Sequence, residues 1–248
     1  DARGHKADIV MGHSLGEYTA LVHGGVIDFK DAVRIVRRRG ELMEKAVKNT
    51  PGKMAAVIGA ERAKLEEILS ECSKDGVIEI TNFNSPQQVV LSGGTATVTR
   101  AVAMINEGGS GKAVELNVSA PFHSSLMKPA AEEFEKFLAD FAFSRPRLEF
   151  IDNVTGAMES DPERIKKKLV EQLSKPVQWE KSVLAAGDPP AGKLSRGREG
   201  QKSHARQSDA LAARKNRGLA AGTGRRSWGA GGDRRRAITR RPERRRVL

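Results

Sequence analysis

The sequence is poor in aromatic side chains. Phe, Tyr and Trp together make up 4% of its 248 residues, with a single tyrosine. Recognition of single-stranded nucleic acid by base stacking needs several aromatic faces, so that mode of binding is disfavoured at the outset. Cysteine is nearly absent as well. Cys72 is the sole one, which excludes an internal disulfide and fits a reducing compartment. Neither HExxH nor CxxC spacing occurs, so no metal site is expected. No apolar run reaches the length of a bilayer span, so no membrane partner is expected. No signal peptide is visible, and the sequence opens on Asp1 rather than Met. The expected location is cytoplasmic, or plastid or mitochondrial if a transit peptide precedes Asp1.

Positive charge is abundant but unevenly placed. The formal net charge is +12, which for the whole chain suggests a nucleic-acid binder. Residues 184–248 alone carry 18 Lys+Arg against 5 Asp+Glu, while residues 1–183 carry 25 against 26. The basic excess is therefore confined to the last quarter. That quarter holds ten glycines and only eight of Val, Ile, Leu, Met, Phe, Trp and Tyr. Too little apolar surface is available there to offset backbone ordering at about 1–2 kcal/mol per residue. Residues 184–248 are accordingly expected to be a disordered Arg/Gly-rich tail, and the abrupt change in composition reads as a gene-model error or an out-of-frame stretch.

Upstream, the pattern alternates strands and helices. Ala7–Met11 reads as a buried strand, followed by a helix from Leu15 that Gly24-Gly25 stops. Asp28 caps a longer helix over about 29–48. Residues 53–118 read as strand, helix, two strands joined by a turn at Asn84-Ser85-Pro86, helix and strand. This βαββαβ order is that of a ferredoxin-like module. A loop over 119–123, a helix to about 140 and a strand over 148–153 follow. The last predicted element is a helix from Asp161-Pro162 to about Leu173, with Asp161 at its N-cap.

The first chemical signal is Gly12-His13-Ser14-Leu15-Gly16, a G-x-S-x-G sequence between a predicted strand and a predicted helix. In a nucleophile elbow the glycines permit a sharp turn. The serine then sits at a helix N-terminus, where free amides, here first that of Leu15, stabilise an oxyanion. The alternative is a glycine-rich βα turn whose serine is incidental. A reactive serine needs a base. Of five histidines, His123 in SAPFHSSLM stands at a strand end and a loop, where catalytic groups are displayed. A surface or core role is the alternative for any one histidine. His13 should project away across the elbow.

Arg39 gives a second signal. On the helix after Asp28 its neighbours at i±3 and i±4 are Ile35, Val36, Leu42 and Met43, whereas Arg37 and Arg38 face Arg34 and Glu41. A guanidinium on an apolar face needs a partner. That partner is either an internal carboxylate or an anionic ligand bound bidentately.

Four colinear stretches, GHSLGEYTALVHGGVIDFKDAVRIVRRRGELM, NFNSPQQVVLSG, VSAPFHSSLMKPA and LSKPVQWEKSV, resemble the acyltransferase family of fatty acid and polyketide synthesis typified by malonyl-CoA:acyl carrier protein transacylases. The resemblance covers about residues 7–183. It implies an α/β-hydrolase-like core over 1–52 and 119–183, with a ferredoxin-like subdomain over 53–118 inserted into it. It also implies ping-pong transfer of malonyl from malonyl-CoA to the phosphopantetheine thiol of acyl carrier protein, with no bound cofactor. Ser14 and His123 would form the catalytic dyad, Leu15 the oxyanion donor and Arg39 the carboxylate clamp. Met43, Phe122, Asn82 and Asn84 would serve the acyl pocket, with the Phe122 ring disfavouring an α-methyl group. The expected partners are acyl carrier protein and malonyl-CoA, and the expected state is a monomer.

The same resemblance places a strand with a Gly-Gln-Gly loop, source of a second oxyanion donor, before the point where this sequence starts. It also places a strand and a GPGKVL-like turn, bracing the histidine, after residue 183, where neither is legible. Two other functions stay open at this stage: an impaired fragment of that enzyme, and nucleic-acid binding by the basic tail.

Overall fold

The computed structural model describes residues 7–118 and 120–187. The chain divides at Ser195 into two units, and every described residue lies in the first. The expected tail therefore falls outside the described residues, except for its first four. Those four require a correction: Trp179–Gly187 is helical, so regular structure continues past Val183. Leu184, Ala185 and Ala186 are strong helix formers and extend a helix that Trp179 opens.

Two sheets organise the unit. Strand β1 (Ile9–Val10) pairs in parallel with β6 (Glu149–Ile151), which pairs antiparallel with β7 (Met158–Glu159). Helices α1 (Gly16–His23), α2 (Phe29–Asn49), α5 (Lys128–Leu138) and α6 (Pro162–Gln172) surround this sheet. Both capping expectations hold. The Asp28 side chain accepts from the Asp31 amide and the Asp161 side chain from the Arg164 amide, satisfying amides that a helix start leaves open. Leu21, Ile35, Met127, Phe134, Leu138 and Leu169 are fully buried in one core.

The second sheet is antiparallel, with order β3-β4-β2-β5. It comprises β2 (Gly52–Ile58), β3 (Ile78–Ser85), β4 (Gln88–Gly94) and β5 (Lys112–Glu115). Helices α3 (Arg62–Cys72) and α4 (Thr95–Glu107) pack on it. Its own core is built from Ala55, Leu65, Leu91, Val98 and Ile105. The free edge of β3 is covered from a distance in sequence. Val177, just ahead of helix α7 (Trp179–Gly187), exchanges backbone hydrogen bonds with Thr81 and Phe83, both of 2.9 Å. This segment stitches the second sheet to the chain that returns from α6.

Strand boundaries are where sequence and structure differ most. The predicted strand over 7–11 is two residues long, that over 148–153 is three, and β7 has no counterpart in the reading. Short parallel strands carry too few residues for a period to emerge. The structure predicts that Phe134→Ala costs about 3–5 kcal/mol, the usual range for emptying a buried aromatic site. Asp161→Ala, a lost cap, costs about 1 kcal/mol. Urea unfolding monitored by circular dichroism separates the two.

Candidate active site

The turn from β1 into α1 holds Ser14 at φ 51°, a left-handed conformation that non-glycine residues rarely adopt. The two glycines of the motif are not equivalent. A Cβ on Gly12 would lie 2.1 Å from the carbonyl carbon and oxygen of Gly16, whereas one on Gly16 would meet nothing within 4 Å. The close approach of backbone to backbone therefore requires glycine only at position 12. Asn153, just after β6, completes the turn. Its Oδ1 accepts from the Ser14 amide at 2.6 Å and its Nδ2 donates to the Gly12 carbonyl at 2.8 Å.

His123 comes from the connection between β5 and α5, again with positive φ, 60°. Among the described residues, Ser14 and His123 are the only non-glycine residues with positive φ. Strain that the surroundings hold in place is typical of functional positions. The two side chains meet: Ser14 Oγ lies 2.8 Å from His123 Nε2. His123 Nδ1 lies 2.7 Å from the carbonyl oxygen of Gln172. A carbonyl only accepts, so Nδ1 carries the proton and Nε2 is free to accept from the serine hydroxyl. Burial holds the imidazole down at about 4, aided by the nearby Arg39 cation and opposed by the bond to Gln172. Near neutral pH His123 is therefore a neutral base.

Arg39 is 7% exposed. It makes no salt bridge to a carboxylate among the described residues. Its Nη2 donates instead to Gln172 Oε1 at 3.0 Å and to Ser14 Oγ at 3.1 Å, and its buried Nε has no partner. An amide, a hydroxyl and the Tyr18 ring, 5.7 Å from the guanidinium carbon, compensate the positive charge only in part. Arg39 opens onto a cavity of about 450 Å³ lined by Ser14, His123 and Gly40, with Met43, Val47, Ala120 and Phe122 as the apolar wall and Glu44 also at its surface.

The structure thus brings together Ser14, His123, Arg39, Met43 and Phe122. The amide of Leu15 makes no hydrogen bond among the described residues, and it follows Ser14 at the helix start. Asn82 and Asn84 do not line this cavity. The register of β3 against β4 breaks between Ile80 and Asn82 and again between Phe83 and Ser85, and such breaks re-aim side chains. Asn82 is buried and accepts from the Thr81 hydroxyl at 3.3 Å. Asn84 Oδ1 accepts from His13 Nε2 at 3.0 Å. His13 also meets the Trp179 ring edge-on at 5.3 Å, so it does project away from the serine.

Three polar residues at the site escaped the sequence reading: Gln172, Asn153 and Glu17. All are essentially buried. Ser14-x-x-Glu17 has the spacing of a capping box, which was the available signal. The structure uses it differently, because Glu17 Oε1 accepts from the Asn153 amide at 3.1 Å. Gln172 and Asn153 carry no motif at all. The described residues hold no group of three or more His, Cys, Asp or Glu arranged to grip a metal ion, and no helix among them is long and apolar enough to cross a membrane.

The comparison that decides the family is a match of the acyl transferase domain model to residues 1–192. This chain belongs to the acyl transferase domain family. The malonyl CoA-acyl carrier protein transacylase of Escherichia coli strain K12 is 46% identical over 182 residues, 73% of this chain and 59% of that protein. The crystal structure of an acyl-carrier-protein S-malonyltransferase from Burkholderia pseudomallei 1710b is similar with a TM-score of 0.71 at 42% identity, over 75% of this chain and 61% of that one. A type II polyketide acyl carrier protein in complex with its malonyl-transacylase gives a TM-score of 0.71 at 39% identity, over 75% of this chain and 61% of that chain. This acyl transferase domain therefore spans less than two thirds of the relatives it matches.

The two glycines give a direct test of the elbow. Gly12→Ala is expected to abolish labelling of Ser14 by a fluorophosphonate, and Gly16→Ala to keep it, as read by intact-protein mass spectrometry. Titration gives a second test. Because folding lowers the His123 pKa from 6.5 to about 4, the unfolded chain binds more protons between those values. The contribution of His123 is fully present above 6.5 and is lost as pH falls through 4. Thermal unfolding of His123→Gln should lack that share of the acid-side loss, measured against the parent chain from about pH 7 to 4.

Proposed function

We propose that this chain carries the malonyl-transfer site of an acyl carrier protein S-malonyltransferase of fatty acid synthesis. The observation that carries the reading is the alignment of Ser14, His123 and the Gln172 carbonyl beside an arginine without a carboxylate partner, at the end of an apolar cavity. Ser14 Oγ gives its proton to His123 Nε2 and attacks the thioester carbonyl of malonyl-CoA. The Leu15 amide donates to the oxyanion at the helix N-terminus. Collapse of the tetrahedral adduct breaks the carbon–sulfur bond, and the departing thiolate takes the proton from His123. The ester left on Ser14 is then attacked by the phosphopantetheine thiol of acyl carrier protein, with His123 again as the base.

A malonyl group carries its carboxylate two carbon–carbon bonds from the reacting carbonyl. Arg39, which already touches Ser14 Oγ, is placed to receive it bidentately. Met43 and Phe122 border the methylene, and the Phe122 ring disfavours an α-methyl branch. In this reading Asn82 and Asn84 serve the cleft between the two sheets rather than the acyl group itself. The carrier protein is supported as partner by the relative that was solved in complex with one.

The same reading treats residues 1–52 and 119–183 as an α/β-hydrolase-like core interrupted by a ferredoxin-like subdomain over 53–118. Two separate hydrophobic cores support that division. So does the sheet order β3-β4-β2-β5, in which the two hairpin-linked strands lie to one side of β2.

Incubation of the full chain with radiolabelled malonyl-CoA is expected to give an acid-stable label that Ser14→Ala removes. A folded sample that takes no label would defeat the reading. Arg39→Ala should slow malonyl transfer by about tenfold or more, as expected for losing a charged hydrogen bond, and leave acetyl transfer nearly intact. Equal losses for both acyl groups would make Arg39 structural.

A further inference from the structure

Glu17 is 2% exposed and takes no part in the chemistry just described. Its two carboxyl oxygens are nonetheless both engaged. Oε1 accepts from the backbone amide of Asn153 at 3.1 Å, and Oε2 accepts from Nε2 of Gln172. Each of these neighbours reaches onward. Asn153 holds the Ser14 amide, and Gln172 holds His123 through its carbonyl and Arg39 through its side-chain oxygen. One carboxyl group thus stands behind the serine, the histidine and the arginine together.

The side-chain amide of Gln172 can face either way. Its nitrogen side meets three acceptors, Glu17 Oε2, the Ser14 carbonyl at 3.1 Å and Asn153 Oδ1 at 3.5 Å, while its oxygen meets the Arg39 donor at 3.0 Å. Reversal would set donor against donor at Arg39 and acceptor against acceptor at Ser14. When ionised, Glu17 is the strongest acceptor on the nitrogen side, so its carboxylate form selects the orientation in which Gln172 offers an oxygen to the guanidinium.

We propose that Glu17 is a positioning residue for acyl-group selection: it fixes the amide of Gln172, and Gln172 fixes the Arg39 guanidinium toward the cavity. The proposal rests on the reading of Arg39 as the carboxylate clamp. It separates two duties of Gln172. The backbone carbonyl orients His123, whereas the side-chain oxygen acts on Arg39 and the side-chain nitrogen braces the Ser14 carbonyl and Asn153. Glu17 should therefore govern which acyl group is accepted more than whether Ser14 reacts.

Glu17→Gln supplies the test. The Asn153 amide is a fixed donor and claims the new amide oxygen, which leaves an NH2 group facing Gln172 Nε2. Two donors then oppose each other, and Gln172 must turn or move, with loss of its oxygen at Arg39. Burial pushes the Glu17 carboxyl up to about 8, so parent and variant are compared at about pH 9, where both oxygens accept.

Acyl-enzyme formation on the full chain is followed with malonyl-CoA and acetyl-CoA. Glu17→Gln is expected to lower malonyl acylation by about tenfold and acetyl acylation by less than about threefold, as for loss of one substrate-specific contact. Added to Gln172→Met, which keeps the backbone carbonyl, Glu17→Gln should cost no further malonyl preference. Equal losses for both thioesters, an unchanged malonyl preference, or additive effects would overturn the proposal.

If the parent chain forms no acyl-enzyme with either thioester, the proposed function fails, and the positioning role is judged separately. The side-chain amide signals of Gln172 in nitrogen-15 spectra should shift and exchange faster in Glu17→Gln. Unmoved signals would refute the coupling.

Discussion

The hydrogen bond from His123 Nδ1 to the Gln172 carbonyl, 2.7 Å long, is the constraint on which the site depends. It decides the tautomer, and the tautomer decides that Nε2 accepts from Ser14 rather than donating to it. The acceptor is a backbone carbonyl at the end of α6, not a carboxylate. A neutral acceptor in a buried site leaves the imidazole without a stabilising anion, which is why burial can hold it down at about 4. A base with so low a pKa is unprotonated across the whole neutral range. Its strength in the reaction then comes from orientation, because Ser14 and His123 are both held at positive φ by the turns that deliver them.

Those turns are held from the opposite side by residues after β6. Asp152 is buried and accepts from the Val154 and Thr155 amides. Lys168 lies between Asp152 and Glu159 at 2.9 and 3.1 Å. This ion pair removes rotational freedom from the loop that presents Asn153, whose Oδ1 and Nδ2 close the serine turn on both sides of His13. The site is therefore assembled from four separated stretches, around residues 12–17, 39, 123 and 152–172. The chain entropy of bringing them together is met by the shared core of Leu21, Ile35, Phe134 and Leu169.

What was legible in the sequence follows from how far each signal is local. Ser14 is announced by its flanking glycines, Arg39 by its place among Ile35, Val36, Leu42 and Met43, and the caps Asp28 and Asp161 by their position before helical runs. Each depends on neighbours within four residues. His123 stood out by loop context and by the resemblance of SAPFHSSLM. Gln172 and Asn153 were invisible because their role depends on contacts at separations of 49, 133 and 139 residues, for which no spacing exists to read. Asn84 shows the same limit from the other side. Its neighbourhood in NFNSPQQ pointed to the acyl pocket, yet the register breaks in β3 turn it to His13. The C-terminal part of the helix from Trp179 was missed because composition was averaged over the basic tail, which hid the helix formers Leu184, Ala185 and Ala186 at its start.

Arg39 carries the last step of the argument. Removing a guanidinium from water is costly, and an internal carboxylate would have offset that cost within the folded chain. Here an amide oxygen and a hydroxyl give only partial compensation, and Nε is left unpartnered. Part of the desolvation cost is therefore already met by folding and is not incurred again when an anion enters the cavity. A carboxylate arriving beside Ser14 gains the charge-assisted bonds without first displacing a bound anion. An arginine paired to an internal Asp or Glu would be more stable and less able to choose. Gln172 is the compromise: an acceptor strong enough to aim the guanidinium and too weak to satisfy it. In the proposed malonyl-transfer site, that balance would link the brace behind the histidine to the selection of an acidic acyl group, because both would rest on one residue at the end of one helix.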